Sequence, residues 1–214
     1  MRLATHFAAL VLALPLAWTT PAAALEAGKD YTVLTQKQPT ESRNKIEVVE
    51  FFAYTCPHCF ELEPELNAWA RKLPKNVVIK RQPVIFSDGW EPMARAYFAL
   101  EALGALSRLH GDVFNALHLE GLPLNEPEAF FDWGAKHGLD RAKLKAAFNS
   151  FATSAKIAQA KRMQSAYKIN GVPALAVNGK YVTSGGLTGS NERSLEVVRE
   201  LIRMESRRGG AATR

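Results

Sequence analysis

The chain contains two cysteines, Cys56 and Cys59, which lie three residues apart in the run CPHC. A structural zinc ion needs four nitrogen or sulfur ligands, and this pair supplies two. The histidines His110, His118 and His137 fall in helical stretches, without a second CxxC or an HxxxH spacing. We therefore expect no metal site, and thiol–disulfide exchange is the leading interpretation of the motif.

The residues around the cysteines favour a thiolate at Cys56. Pro57 suits the first position of a helix, so Cys56 stands where a helix begins. Unpaired backbone N–H groups and the helix dipole stabilise negative charge there, and His58 can donate or carry positive charge. A stabilised thiolate favours the reduced protein and leaves readily from a mixed disulfide. The disulfide form would then oxidise other thiols, with Cys59 as the more buried resolving thiol.

The first 24 residues have the pattern of a cleaved signal peptide. Arg2 gives a positive start, an apolar run follows over residues 7–18, and small residues end the segment at Ala24. The run is too short for a membrane-spanning helix, which needs about 20 apolar residues, and Pro15 interrupts it. We predict cleavage after Ala24 and an exported protein.

Composition and cysteine count favour a globular exported protein whose cysteine pair is not mainly structural. Exported proteins often use cysteines for structural disulfides, but a bridge across so short a loop constrains the unfolded chain little. The side chains are 47% hydrophobic and 22% charged, with a formal net charge of +6, which is typical of a globular protein. No interleaving of aromatic and basic residues indicates nucleic acid. We predict that residues 207–214, a basic tail containing Gly and Ala, are disordered.

Hydrophobic periodicity predicts a strand, the CPHC motif, a helix, a second strand, a block of helices, a hairpin and a last helix. Asn125 and Asp140 are candidate helix caps within the block, and Ser190 or Asn191 caps the last helix. The pair Asn178-Gly179 is a hairpin turn. The predicted strands span 46–53, 77–84, 174–177 and 180–183, and the helical block spans 89 to about 167.

Four features together resemble the DsbA family of periplasmic thiol:disulfide oxidoreductases. FFAYTCPHCFE (51–61) resembles its active-site stretch, GVPALAVNGKY (171–181) its cis-proline segment, and LEAGKDYTVL (25–34) its mature N-terminus. The helical block lies where that family inserts a helical domain. The resemblance implies an α/β protein with a thioredoxin fold and an inserted all-helical domain. Its parts would be a thioredoxin-like domain (25–87 and 168–206) and an inserted domain (88–167).

The resemblance also implies roles for the motif residues. Cys56 is expected to attack and Cys59 to be its partner. Pro57 and His58 form the dipeptide that sets an oxidising potential. Val172–Pro173 is expected to be the cis-proline loop that binds substrate backbone beside the disulfide.

Two acids resemble the acidic positions beneath the family's active site. A carboxylate at Glu50 or Glu63 could relay protons to Cys59, whereas the alternative is a pair of partly solvated acids at a strand end and on a helix. A basic partner is expected from the next strand. Because side chains alternate along a strand, only one of Lys80 and Arg81 can face inward. The sequence leaves that choice open.

The function implied by the resemblance is donation of the Cys56–Cys59 disulfide to newly exported proteins, through a mixed disulfide at Cys56. Reoxidation would come from a DsbB-like membrane quinone reductase, and the protein would act as a periplasmic monomer without a further cofactor. Two alternatives stay open: a disulfide reductase or isomerase, and a redox-inert peptide-binding chaperone. The intact CxxC argues against the chaperone, and too few residues precede Ile46 for the N-terminal dimerisation domain of a DsbC-type isomerase.

Overall fold

The computed structural model describes residues 25–42 and 44–212, with side chains through Arg208. The predicted signal peptide, 1–24, lies outside the described residues. The strands are β1 (Thr32–Val33), β2 (Ile46–Phe52), β3 (Val77–Pro83), β4 (Ala174–Val177) and β5 (Tyr181–Ser184). The helices are α1 (Pro57–Ala70), α2 (Glu91–Ala102), α3 (Leu106–His118), α4 (Pro127–Lys136), α5 (Arg141–Phe148), α6 (Phe151–Ala166), α7 (Gly185–Thr188) and α8 (Asn191–Ala212).

The five strands form one mixed sheet in the order β1-β5-β4-β2-β3. Strand β2 runs parallel to β3 and antiparallel to β4, and every one of its seven residues is buried. A strand covered on both faces needs a nearly continuous apolar run, and the IEVVEFF segment supplies one apart from two glutamates. Three residues separate the end of β2 from CPHC, so the most buried part of the sheet positions the motif.

Helices cover both faces of the sheet. On one face Val48 packs with Leu62 and Leu66 of α1 and with apolar residues of α8. On the other face Val49 and Phe51 pack with the core of the helical segment α2–α6. This arrangement confirms the expected α/β fold with a helical insertion, whereas the exact domain boundaries stay predictions. Among the described helices, none combines the length and the apolarity needed to cross a bilayer.

Within the helical segment one predicted cap is confirmed and one is wrong. The Asp140 carboxylate accepts a hydrogen bond from the backbone N–H of Lys143 at 2.9 Å and caps α5. Asn125 caps no helix. The cap position before α4 belongs to Glu126, because Pro127 occupies the first helical turn and fixes where the helix begins.

The C-terminal segment departs from the prediction. The tail over 207–214 was expected to be disordered, but α8 continues through it to Ala212, and residues 213–214 lie outside the described residues. The Arg208 guanidinium donates to Tyr181 Oη at 2.7 Å and lies 3.6 Å from Glu205, so the end of the helix is held against the hairpin. At the other end of α8, Ser190 Oγ accepts from the N–H of Arg193, which makes Ser190 the cap.

The hairpin β4–β5 turns where Asn178-Gly179 was predicted to turn, and both residues have positive φ, 54° and 66°. Strand β5 begins at Tyr181, one residue later than predicted. The N–H of Gln38 donates to the carbonyl of Gly179 at 2.8 Å. A Cβ at Gly179 would meet the Gln38 carbonyl oxygen at 2.1 Å, so both the φ angle and the close approach require glycine.

We predict that Gly179→Ala destabilises the protein more than Gly121→Ala. Gly121 has nearly the same φ, +65°, but open space around its Cβ position, so it isolates the cost of the left-handed conformation. That cost is about 1–2 kcal/mol, and displacing the Gln38 backbone should add about 1–3 kcal/mol. Urea unfolding of the two oxidised variants measures the difference. Equal losses of unfolding free energy would show that the turn relaxes around the added methyl group.

Candidate active site

The two cysteines differ in position and exposure. Cys56 is the cap residue before α1, with extended backbone angles, and its carbonyl accepts the first helical hydrogen bonds from the N–H groups of Cys59 and Phe60 at 3.1 Å. Cys56 is 8% exposed and Cys59 is fully buried. Both are free thiols in this structure. A partner thiol from solvent can therefore approach Cys56 but not Cys59.

The surroundings place one negative charge on the pair, at Cys56. A hydrogen bond from the Cys59 thiol does most to lower the pKa of Cys56 to about 6, against the opposing effect of burial. The backbone N–H groups of Cys59 and His58 and the charge of His58 lower it further. Burial raises the pKa of Cys59, and the hydrogen bond and charge of Cys56 raise it more. At neutral pH the reduced pair is therefore a Cys56 thiolate beside a Cys59 thiol.

His58 contributes through its backbone as well as its ring. The ring is exposed, and Nδ1 lies 3.0 Å from Glu61 Oε2. This hydrogen bond raises the pKa of His58. The His58 carbonyl accepts from Asn191 Nδ2 at 3.0 Å, which ties the start of α1 to the start of α8.

The segment before β4 lies beside the thiols. The Val172–Pro173 peptide is cis, as the resemblance implied, and Cys56 Sγ lies 3.5 Å from the Val172 carbonyl oxygen, to which it can donate only when protonated. A groove of about 1090 Å³ runs along this segment. Its walls include His58, Val172, Pro173, Gly186, Asn191 and the edge strand β1.

The two predicted acids lie close together beneath the motif. Glu50 of β2 is fully buried and Glu63 of α1 is 6% exposed. Arg81 of β3 pairs in register with Glu50 and contacts both acids. Its Nε lies 3.0 Å from Glu50 Oε2 without hydrogen-bond geometry, and its Nη2 donates to both Glu63 oxygens at 3.1 and 3.2 Å. Neither acid is a solvated surface residue.

The inward-facing base is Arg81. Lys80 points to the other side of β3, where its ammonium lies 3.0 Å from Glu47 and also binds Glu41. The alternation of the strand excludes one of the two residues, as predicted, and the structure identifies which.

The two acids differ in charge. Burial raises the pKa of Glu50 to about 8, with a further rise from Glu63, and together these outweigh the lowering by Arg81. Burial also works to raise the pKa of Glu63, but the contact with His110, the charge of Arg81 and a hydrogen bond from Asn67 lower it overall. At neutral pH Glu50 holds a proton and Glu63 is ionised.

Sequence reasoning missed three residues of this cluster: Asn67, which hydrogen-bonds Glu63 and Arg81, and the pair His110 and Tyr54. His110 of α3 lies 3.4 Å from Glu63, and its Nδ1 lies 2.7 Å from the Tyr54 hydroxyl. Both residues are buried. A signal for His110 existed, because it follows Leu106 by four positions and precedes Val113 by three, which places it on the apolar face of α3.

The fold and the site define a class: thioredoxin-fold proteins with a CxxC motif at a helix start and an opposing cis-proline. Comparison with known proteins agrees. Residues 87–196 match the family described as DSBA-like thioredoxin domain, and residues 31–85 match thioredoxin. The Bordetella parapertussis protein "Thiol:disulfide interchange protein DsbA" is 40% identical over 202 residues, covering 92% of this chain and 96% of its own.

Solved structures of DsbA proteins also resemble this chain. The crystal structure of Pseudomonas aeruginosa DsbA aligns with a TM-score of 0.82 at 37% identity, covering 89% of this chain and 97% of that one. The oxidoreductase NmDsbA1 from Neisseria meningitidis aligns with a TM-score of 0.74 at 28% identity, covering 87% and 98%. The chain belongs to the DsbA family and is a thiol:disulfide oxidoreductase.

We predict that the thiolate absorbance at 240 nm titrates with a midpoint of about 6. Cys59→Ala should raise the midpoint by about 1–2 pH units, because a charge-assisted hydrogen bond contributes about 1.5–3 kcal/mol. Cys59→Ser is the matched control, since its hydroxyl keeps a donor, and should stay closer to the parent. If Cys59→Ala titrates like the parent, the Cys59 thiol is not the main stabilising group.

Proposed function

We propose that this protein is a dithiol oxidase that donates the Cys56–Cys59 disulfide to cysteine pairs of newly exported proteins in the periplasm. The observation that carries the proposal is the asymmetry of the thiols: an accessible, stabilised thiolate at Cys56 and a fully buried thiol at Cys59. This asymmetry stabilises the reduced form, so electrons flow from the substrate to the protein.

In the first step a substrate thiolate attacks Cys56 Sγ of the disulfide form. A bond forms between the substrate sulfur and Cys56, the Cys56–Cys59 bond breaks, and Cys59 leaves with the electron pair. Its raised pKa requires that Cys59 take up a proton. We assign the donor to Glu50, which holds a proton at neutral pH and which, when ionised, is near enough to raise the pKa of Cys59.

In the second step the other substrate thiolate attacks the substrate sulfur of the mixed disulfide. A disulfide forms within the substrate, and Cys56 leaves as a thiolate with the electron pair. The substrate has lost two electrons, and the protein has gained them as one thiolate and one thiol. The pKa of about 6 makes Cys56 a good leaving group, which favours release of the oxidised substrate.

The groove along the cis-proline loop is our candidate for the substrate-binding surface. Its position beside Cys56 would let an extended segment lie across Val172 and Pro173 with its cysteine at the sulfur. Pro57 starts α1, and together with His58 it would tune the thiolate through the geometry of the first turn.

The reaction leaves the protein reduced, so a second oxidant must restore the disulfide. We propose a membrane quinone reductase of the DsbB kind, a monomeric protein and no cofactor beyond the disulfide. Support comes from the export signal read in the sequence and from family membership. The chemistry requires only that the oxidant reach Cys56, which is the accessible sulfur.

A reductase is the weaker reading, because a stabilised thiolate makes the dithiol form a poor electron donor. Equilibration with glutathione separates the two. We expect the pair to remain mostly reduced until the glutathione pool is predominantly oxidised. A pair held as a disulfide by reducing glutathione would overturn the oxidase proposal. Cys56→Ser should abolish oxidation of a dithiol peptide, whereas a redox-inert chaperone would keep its activity in that variant.

The thiolate also predicts a pH dependence of stability. In the reduced protein the pKa of Cys56 falls from about 8.5 unfolded to about 6 folded. A depressed acid pKa gives stability that is complete above the unfolded pKa and is lost as pH falls through the folded one. The reduced form should therefore gain about 2–3 kcal/mol over the oxidised form between pH 5 and pH 8.

Urea unfolding of both redox forms at the two pH values measures this gain. Glu50 titrates in both forms, so its contribution largely cancels in the difference. The reduced Cys56→Ser variant is the control and should lack the rise. Parallel pH dependence of the two redox forms would contradict a stabilised thiolate.

A further inference from the structure

We propose that His110, contributed by the helical insertion, is a positioning residue that keeps the Glu63 carboxylate ionised and thereby keeps the shared proton of the buried acid pair on Glu50, next to Cys59. The inference rests on the proposed function for its meaning in catalysis. It is carried by a buried chain of contacts, Tyr54–His110–Glu63–Arg81–Glu50, that joins the helical insertion to the acid pair beneath the thiols.

The contacts fix the tautomer of His110. Burial raises the pKa of the Tyr54 phenol well above its ordinary value, so Tyr54 keeps its proton. On the other side of the ring the Glu63 carboxylate can only accept, which favours a proton on Nε2 and leaves Nδ1 to accept from the Tyr54 hydroxyl across 2.7 Å. With Nδ1 as acceptor, a neutral His110 carries its proton on Nε2, the atom that lies 3.4 Å from Glu63 Oε1.

His110 has few alternatives to this role. It is 6% exposed, and burial lowers its pKa, so the ring is neutral at pH 7. Among the described residues its Nε2 has no hydrogen-bond partner, and the Glu63 carboxylate is the acceptor within reach. The 3.4 Å separation is longer than an ideal hydrogen bond, and such contacts often shorten when a site binds its substrate.

The charged and titratable groups around His110 come from four elements. Tyr54 follows β2, Glu63 is on α1, Arg81 is on β3, and Tyr97 of α2 has its ring centroid 6.0 Å away. The Tyr97 hydroxyl donates a hydrogen bond to the Arg81 carbonyl at 3.1 Å, so its proton is not directed at His110. The remaining polar contact of the ring is with Glu63.

Two buried carboxyls that share a cation titrate as a pair, so whatever stabilises the charge on one moves the proton to the other. Glu63 receives hydrogen bonds from Arg81 and Asn67 and contacts His110. Both Glu50 oxygens lack a hydrogen-bond partner among the described residues. His110 therefore adds to the bias that leaves the proton on Glu50, where the departing Cys59 thiolate needs it.

A second concavity supports the assignment. A cavity of about 860 Å³ between β3 and the helices is lined by His110, Glu63 and Arg81 among others, and Glu50 is not among its lining residues. Glu63 and His110 thus meet the cavity, whereas Glu50 is enclosed behind them. The ionised member of the pair is the one that lines the cavity.

The test is carbon-13 NMR of glutamate side-chain carboxyls in the reduced protein, from pH 5 to pH 9. We expect the parent to show Glu63 ionised throughout neutral pH and Glu50 titrating near 8. His110→Phe should raise the Glu63 midpoint by about one pH unit and lower the Glu50 midpoint. Substrate oxidation should slow at high pH, where Glu50 has lost its proton. The pH at which this slowing begins should fall together with the Glu50 midpoint.

Three further variants keep the test decisive. His110→Gln retains a donor and an acceptor and should restore most of the parent titration. Tyr54→Phe removes the hydrogen bond that favours the Nε2–H tautomer of His110. Both carboxyl midpoints should shift in the same direction as in His110→Phe, but less. His137→Gln removes the histidine at the C-terminal cap of α4, whose Nδ1 hydrogen-bonds the Trp133 carbonyl, and should change neither midpoint.

If folded His110→Phe leaves both carboxyl midpoints unchanged, the positioning role is wrong, whatever the direction of electron flow. If His110→Gln behaves like His110→Phe, the effect is one of packing and the role is also overturned. The carboxyl titrations do not depend on which way electrons flow. A failed glutathione test would therefore remove the proposed function without being mistaken for a failure of this inference.

Discussion

The stabilisation of a single negative charge at the start of α1 is the interaction on which the rest of the site depends. Two identical thiols become different groups because Cys56 lies at a helix terminus rich in N–H donors, while Cys59 is fully buried one turn later. The fully buried strand β2 fixes where that terminus lies. The asymmetry of the thiols is thus a consequence of the fold as well as of the CPHC residues.

Burial of Cys59 creates a second requirement, because a buried thiol cannot gain or lose its proton without a nearby acid or base. In the proposed mechanism Glu50 meets this requirement, because it is too buried to ionise easily, even beside Arg81. The neighbouring carboxylate of Glu63 can remain charged because Arg81, Asn67 and His110 surround it. Two acids of the same type therefore hold different charges, and the difference is set by their donors.

Much of this could be read from the sequence, since the strand, the CPHC helix, the hairpin and the Asp140 cap all follow from local patterns. The predictions failed where a longer-range or competing effect decided. Pro127 overrode Asn125 as the determinant of a helix start, and α8 continues into a tail whose composition suggested disorder, where Arg208 contacts the hairpin. The choice between Lys80 and Arg81 required the phase of β3 relative to its neighbour, which periodicity alone does not give.

The role of the helical insertion follows from where its side chains lie. Its helices close one face of the sheet, and α3 also brings two histidines to the segment between β2 and α1. His118 Nε2 lies 2.7 Å from the Tyr54 carbonyl oxygen and its ring stacks on Phe60, while His110 contacts the Tyr54 hydroxyl and Glu63. Both the backbone and the side chain of Tyr54 are thus held from the insertion, two residues before the reactive cysteine. A shift of α3 would alter the cap of α1 and the buried acids together, so the position of the insertion is structurally coupled to the redox centre.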